Sequence, residues 1–274
     1  MPELPEVETV CRTLRERLQG VKILQVRVIE GRLRHPVAAD FATRLEGKRV
    51  AAVTRRGKYI VADLDGGWTW VSHLGMSGKL TFRERDASME KHDHIVFTLD
   101  DGNDLRYHDP RRFGLCVVLP SRELDAWPPF ARLGMDPLDR RFTGDYLYPL
   151  VHRSRRSLRD LLLDQQIVSG LGNIYVNEIL FRLGVRPTRR GHRVSRALSA
   201  ELVREIPELL REAIRWRGSS VSDYRDGNDH RGGFQWRLRV YDRKGAPCYQ
   251  CQTPIKRIGL GNRGVFYCPR CQRR

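Results

Sequence analysis

The two pairs Cys248-x-x-Cys251 and Cys268-x-x-Cys271, separated by 16 residues, constrain the C-terminal end of this chain more tightly than any other feature. Each Cys-x-x-Cys turn presents two sulfurs to one ion, and four thiolates at this spacing match a structural zinc site. Four protein ligands leave no open position for a catalytic water, so the ion holds structure rather than performing chemistry. The intervening stretch, residues 255 to 266, reads as a β-hairpin. So small a module has almost no core, and zinc binding contributes most of its folding free energy. The hairpin carries Lys256, Arg257 and Arg263, with Arg270, Arg273 and Arg274 beside it. Such a basic hairpin reads phosphate or is a solvated face, and the charge of the whole chain favours phosphate.

That charge is large. There are 50 Lys+Arg against 33 Asp+Glu, a formal +17, and the basic residues are overwhelmingly arginine, whose planar fork suits phosphate oxygens. With 40% hydrophobic residues the composition is that of a folded protein, and the excess of cations points to a nucleic-acid partner. No run of 18 apolar residues exists, no amphipathic Lys/Arg helix suggests a membrane surface, and the N-terminus lacks a signal-peptide pattern. The expectation is a soluble cytoplasmic monomer with no membrane role. Cys11 and Cys116 lie singly in apolar segments and read as small buried hydrophobes, not as a disulfide framework.

The hydrophobic pattern changes period along the chain. Val7, Val10, Cys11, Leu14 and Leu18 recur at helical spacing, which predicts a helix over 4–19 ending at Gly20. Strand-like runs follow at 21–29, 50–63, 67–72, 94–99 and 114–119, separated by Gly and Asp turns. Strands in series after one helix predict an antiparallel sandwich or barrel. Proline and glycine break the pattern between Trp127 and Gly144, a hinge. Helical periods then appear at 154–166, 173–183 and 198–216, and 217–235 reads as a long loop of the kind that carries function. Residues 237–241 read as a strand leading into the cysteines. The predicted class is α+β, with an N-terminal helix and β-sandwich at 1–130, a hinge at 131–145, a helical domain at 146–236 and the zinc finger at 237–274.

Several segments admit two readings. The chain starts Met1-Pro2-Glu3-Leu4-Pro5-Glu6. Proline and acids suit the first turn of a helix. Removal of Met1, however, exposes the secondary amine of Pro2, and an ordinary α-amine titrates near 7.7 to 8.0, so much of it is nucleophilic at neutral pH. Lys58, at the rim of a strand after Arg55-Arg56-Gly57, is a surface charge or a phosphate and proton-transfer group. Met76, between glycines in Leu74-Gly75-Met76-Ser77-Gly78, is core filler or an exposed tip. Arg111 and Phe113, in Asp109-Pro110-Arg111-Arg112-Phe113-Gly114, make a salt-bridged loop or a wedge of the kind that opens a base step. Gly170-Leu171-Gly172-Asn173 opens a helix whose N–H groups cap it or hold a phosphate.

Taken in order, PELPEVETV, RRGKY, LGMSGKL, KHDH, DPRRFG, LLDQQIVSGLGNIYVNE, VYDRKGAPC and the terminal cysteines resemble the bacterial formamidopyrimidine-DNA glycosylase family, which includes the endonuclease VIII relatives. The resemblance implies an N-terminal helix with a β-sandwich, then a helical domain with a helix-two-turn-helix and a four-cysteine zinc finger, with double-stranded DNA in a basic cleft between them. It implies a bifunctional glycosylase and abasic-site lyase of base excision repair, forming a Schiff base and cutting by β,δ-elimination. By that resemblance Pro2 is the nucleophile, Glu3 the acid at the opening sugar, Glu6 a supporting acid and Lys58 a catalytic and phosphate-binding lysine. His73, Met76, Arg111, Phe113, Asn173 and Arg263 match DNA contacts, and Cys248, Cys251, Cys268 and Cys271 the Zn2+ ligands. Arg155 and Arg156 fall where relatives place basic residues near the lesion, and residues 218–233 match the segment that closes over it. The PELPE start and the methionine of LGMSG look more like the oxidised-purine branch (8-oxoguanine, formamidopyrimidines) than the branch acting on oxidised pyrimidines. The rival of another class is a zinc-stapled protein that binds damaged DNA without cutting it.

Overall fold

The computed structural model describes residues 1–221, 223–261 and 263–273; Ser222, Asn262 and Arg274, the last of them one of the arginines expected beside the hairpin, lie outside the described residues. The chain divides into two compact units, each built from two stretches: residues 1–131 with 214–235, and residues 132–213 with 236–274.

In the first unit, helix α1 (Leu4–Leu18) is followed by strand β1 (Ile23–Val28), the short helix α2 (Phe41–Leu45) and seven more strands. These are β2 (Val50–Arg56), β3 (Tyr59–Leu64), β4 (Trp68–His73), β5 (Lys79–Glu84), β6 (Asp93–Leu99), β7 (Asn103–His108) and β8 (Leu115–Pro120), before a single turn of helix, α3 (Pro128–Ala131). They form two antiparallel four-stranded sheets, ordered β1-β6-β7-β5 and β2-β3-β4-β8. Leu80, Ile95, Phe97, Leu105 and Tyr107 from one sheet share a single core with Ile60, Ala62, Trp70 and Cys116 from the other, so the sheets face each other as the expected sandwich. Trp70 and Phe97 meet across it with ring centroids 4.5 Å apart. The apolar stripe of α1 (Val7, Val10, Cys11, Leu14, Leu18) closes the same core, at about 1.5–3 kcal/mol per large side chain removed from water. Burial raises the thiols of Cys11 and Cys116 to about 12, and both behave as the inert core residues expected of them.

Two strands, β5 and β7, lie outside the expected runs. β7 buries Asp104 and Arg106, because Arg106 donates to the carbonyls of Ser88 and Ala87 and faces Asp93 and Asp104 at 3.4 and 3.6 Å. A buried ionic cluster thus occupies positions where hydrophobes would have made a wholly apolar run. The run 50–63 is two strands, broken at Gly57 (φ 55) and Lys58 into a two-residue hairpin turn.

The second unit holds α4 (Gly144–His152), α5 (Leu158–Leu163), α6 (Asn173–Arg182), α7 (Arg196–Arg215) and the hairpin β9 (Lys256–Leu260) with β10 (Arg263–Tyr267). Helix α4 begins inside the expected hinge, capped by Thr143 accepting from Tyr146 N–H. Helix α5 is shorter than its period suggested, because residues 154–157 pair with 189–192 instead of winding. Residues 237–241 form no strand. The N–H groups of Arg239, Val240 and Tyr241 donate to the buried carboxylate of Glu178 at 2.8, 2.9 and 2.8 Å, and a side chain takes the bonds a neighbouring strand would have made. Among the described residues no helix is long and apolar enough to cross a membrane.

Candidate active site and zinc module

Helix α1 mounts the terminus. Glu3 and Glu6 make a capping box at its start, with Glu3 N–H donating to Glu6 Oε2 at 2.8 Å, and both side chains are buried. The other oxygen of Glu6 accepts from Ser219 N–H at 2.7 Å, and the Tyr224 hydroxyl donates to the Glu6 carbonyl at 3.2 Å. One carboxylate therefore fixes both the second peptide of the chain and the loop after α7. Gly218 permits the approach: its φ is +75, and a Cβ there would lie 2.6 Å from Glu6 Oε1.

Burial lowers the terminal amine of Met1 from its ordinary 8.0; Glu3 and Glu6 oppose this, while Lys58 and Arg111 add to it. The terminus, two carboxylates, the lysine and an arginine thus share one electrostatic neighbourhood. Lys58 is only 7% exposed, in the β2–β3 turn. Arg55 braces that turn by donating to Gly57 O at 3.0 Å and pairing with Glu8 of α1 at 3.3 Å.

The loops carrying Met76 and Phe113 are welded together by Asp109, which is fully buried. Ser77 donates its hydroxyl to Asp109 Oδ1 at 2.7 Å, Gly114 N–H donates to Oδ2 at 2.8 Å, and Arg111 N–H donates to Ser77 Oγ at 3.3 Å. Glycine is required where the loops touch, since a Cβ on Gly75 would lie 2.5 Å from the Phe113 carbonyl carbon. The result displays two apolar tips, Met76 and Phe113, at 41% and 44% exposure, with the Arg111 guanidinium 4.8 Å from the Phe113 ring centre. His73 supports the first loop by accepting from Gly75 N–H on Nδ1 at 3.0 Å. Enclosure of its ring, then Lys58 and Arg34, hold its pKa at about 4, so it is a neutral acceptor at pH 7.

In the second unit the four cysteine sulfurs lie within 4.8 Å of one another, with Cys251 and Cys268 at 3.4 Å and Cys248 and Cys271 at 3.9 Å. A tetrahedral ion with bonds of about 2.3 Å spaces its sulfurs by roughly 3.8 Å, so the donor set fits zinc. Helix α6 holds this module. Asn173 donates to Gly264 O at 2.9 Å, Asn177 accepts from Phe266 N–H at 2.7 Å, and Glu178 takes the three N–H groups before the first cysteine pair. Arg159, 2% exposed, donates to Asn173 Oδ1 at 2.8 Å; burial lowers its pKa, and Arg263 on the hairpin adds to that. Asn173 and Arg263 are thus brought beside a third polar group.

The functional roles of Asp109, Ser77, Ser219, Tyr224, Asn177 and Glu178 were not legible as such. For Asn177 and Glu178 a signal existed, two polar residues within the apolar period of α6.

The order of the three modules agrees with known proteins. The N-terminal domain model of formamidopyrimidine-DNA glycosylase matches residues 1–116, its H2TH domain model residues 133–225, and the zinc finger found in FPG and IleRS residues 245–274. The chain is 45% identical to the formamidopyrimidine-DNA glycosylase of Thiobacillus denitrificans over 273 residues, covering 100% of each.

The chain belongs to the formamidopyrimidine-DNA glycosylase family.

Two members of this family with solved structures share the fold over nearly their whole length. A Lactococcus lactis FPG mutant in complex with Fapy-dG-containing DNA superposes with a TM-score of 0.93 at 32% identity, covering 100% of both chains. The FPG of Thermus thermophilus gives 0.89 at 37% identity, over 99% of this chain and 98% of the other. In this family setting the four clustered cysteines are its zinc-finger ligand set, one structural ion.

Proposed function

We propose that Pro2, freed by loss of Met1, is the nucleophile with which this chain, a DNA glycosylase and abasic-site lyase, releases oxidised purines from duplex DNA. The observation that supports the assignment is the setting of the chain's start: Glu3 and Glu6 are buried in the first turn of α1, and Lys58 and Arg111 act on the amine of Met1, the residue just before Pro2.

A damaged nucleotide must leave the stack before an amine can reach its sugar, at a cost of a few kcal/mol. Met76 and Phe113 offset that cost by filling the vacated space, with Arg111 beside them and His73 holding the loop. The Pro2 nitrogen then forms a bond to C1′, the bond from C1′ to the base breaks, and the base leaves with a proton. Glu3 gives a proton to the sugar ring oxygen as the ring opens, leaving an iminium. Loss of a proton from C2′ expels the 3′ phosphate, and a second elimination expels the 5′ phosphate. Lys58 holds phosphate and moves protons, while Glu6 fixes the second peptide and the loop from Ser219. Asn173 and Arg263 take phosphate oxygens from helix α6 and the hairpin, whose shape the zinc ion maintains when bound. Association with the nucleoid follows from DNA binding.

Retaining Met1 or acetylating the α-amine tests the assignment. Excision and strand cleavage are expected to disappear while affinity for lesion-containing duplex stays within a fewfold; full cleavage by the blocked form would refute Pro2. Competition between 8-oxoguanine and thymine glycol duplexes checks the substrate, with the purine lesion expected to be released first.

A further inference from the structure

The second unit presents a basic surface, one arm of which has no part in the excision chemistry. Residues 153–156 (Arg-Ser-Arg-Arg) and 186–193 (Arg-Pro-Thr-Arg-Arg-Gly-His-Arg) form two arms side by side. Leu158 N–H donates to Arg189 O at 2.7 Å, Gly191 N–H to Arg156 O at 2.9 Å and His192 N–H to Ser154 O at 2.8 Å, and Ser157 bridges to Arg190 in antiparallel register. Gly191 is what allows the arms to close, since a Cβ there would lie 2.5 Å from Val151 O and 2.9 Å from Ser154 O. Arg190 adds a side-chain bond to Arg155 O at 3.1 Å.

The pairing holds like charges together. Arg153, Arg155 and Arg156 on one arm and Arg186, Arg190 and Arg193 on the other are all exposed, and neither arm contains an acid. Among the described residues only Arg156 of these six has a carboxylate partner, Asp164 at 2.7 Å. A solvated surface stabilises itself by interspersing signs; a backbone-locked ledge of one sign is self-repelling until a polyanion lies on it. Arginine rather than lysine at every cationic position favours phosphate oxygens over a diffuse counterion cloud.

We propose that this arginine ledge binds the phosphate backbone of duplex DNA, the arm 186–193 extending the contact beyond the Arg155 and Arg156 arm, a sequence-independent contact that keeps the chain on undamaged DNA during search. The arm 186–193 is the added element, and none of its residues belongs to the nucleophile, wedge or zinc sets.

The test uses the full chain with Arg186→Gln, Arg190→Gln and Arg193→Gln combined, binding a long undamaged duplex over a range of salt. Each lost phosphate contact lowers the slope of log K against log salt by about 0.9, so the triple variant is expected to lose roughly 2.7 from the slope and more than tenfold in affinity at low salt. Single-turnover excision at saturating protein is expected to stay within about twofold, since the chemistry is untouched. The matching triple Arg→Lys variant keeps the charge and is expected to keep most of the slope. An unchanged slope in the glutamine variant overturns the proposal, as does an equal loss in the lysine variant, which would trace the effect to damaged folding rather than charge.

Discussion

Replacing Asp109 separates the wedge from the rest of the site. The carboxylate is fully buried and accepts from the Ser77 hydroxyl at 2.7 Å and Gly114 N–H at 2.8 Å, and these two bonds hold the Met76 and Phe113 loops against each other. A buried hydrogen bond to a charged group contributes about 1.5–3 kcal/mol, so Asp109→Ala removes at most roughly 3–6 kcal/mol. Local opening lets water reach the abandoned donors and recovers part of this, leaving an expected loss of about 3 kcal/mol confined to the two loops. Asp109→Asn is milder, because the amide oxygen still accepts from Gly114 N–H while the Ser77 hydroxyl rotates to accept from the amide nitrogen; about 1 kcal/mol is expected. Extrusion of the base costs a few kcal/mol, and losing about 1.4–2.8 kcal/mol of the wedge's offset slows excision roughly 10- to 100-fold. Hydrogen exchange across residues 74–78 and 109–114, with single-turnover excision of a base lesion and cleavage of a preformed abasic site, provides the assay. Asp109→Ala should expose Gly114 to exchange and slow base excision much more than abasic-site cleavage. Native excision with both loops open to exchange would refute the reasoning.

Three further outcomes follow from other contacts. Gly218→Ala forces a Cβ to within 2.6 Å of Glu6 Oε1 at a φ of +75, and should free the loop from Ser219 and cut activity on lesions by an order of magnitude or more, seen as exchange at the Ser219 amide and a lower excision rate. Glu178→Ala leaves three N–H groups without their acceptor and should cost about 3 kcal/mol or more, with zinc released at a lower chelator concentration; Glu178→Gln should cost less, the measurement being zinc release against chelator. His73 is held at about 4 against about 6.5 unfolded, so the fold excludes its proton; stability should fall as pH drops from about 7 toward 4, by up to roughly 3 kcal/mol, and His73→Gln should flatten that dependence in acid-denaturation curves.

Much of this architecture is legible in the chain because single local patterns govern it. Helix α1 follows its apolar stripe, β4, β6 and β8 their hydrophobic runs, α6 and α7 their periods, and the hairpin its cysteine brackets. Legibility fails where a distant group replaces the local signal. β7 hides because Arg106 and Asp104 are buried as a pair whose partners come from other segments. Residues 237–241 look like a strand but spend their N–H groups on Glu178. The candidate site divides in the same way. Pro2, Glu3, Lys58 and the cysteines sit in short motifs that name their chemistry, whereas Asp109 and Ser219 matter through bonds to partners far along the chain. Those bonds also explain why the loop after α7, reading as unstructured, carries Tyr224 in the core of the sandwich.

The central claim is that a terminal secondary amine forms the covalent intermediate. Peptide mapping by mass spectrometry of the complex trapped with borohydride on an 8-oxoguanine duplex tests it most directly. The account predicts a chain lacking Met1 with the sugar remnant reduced onto Pro2 nitrogen, and an adduct on Lys58 or any other lysine, or efficient excision with no adduct, would contradict it.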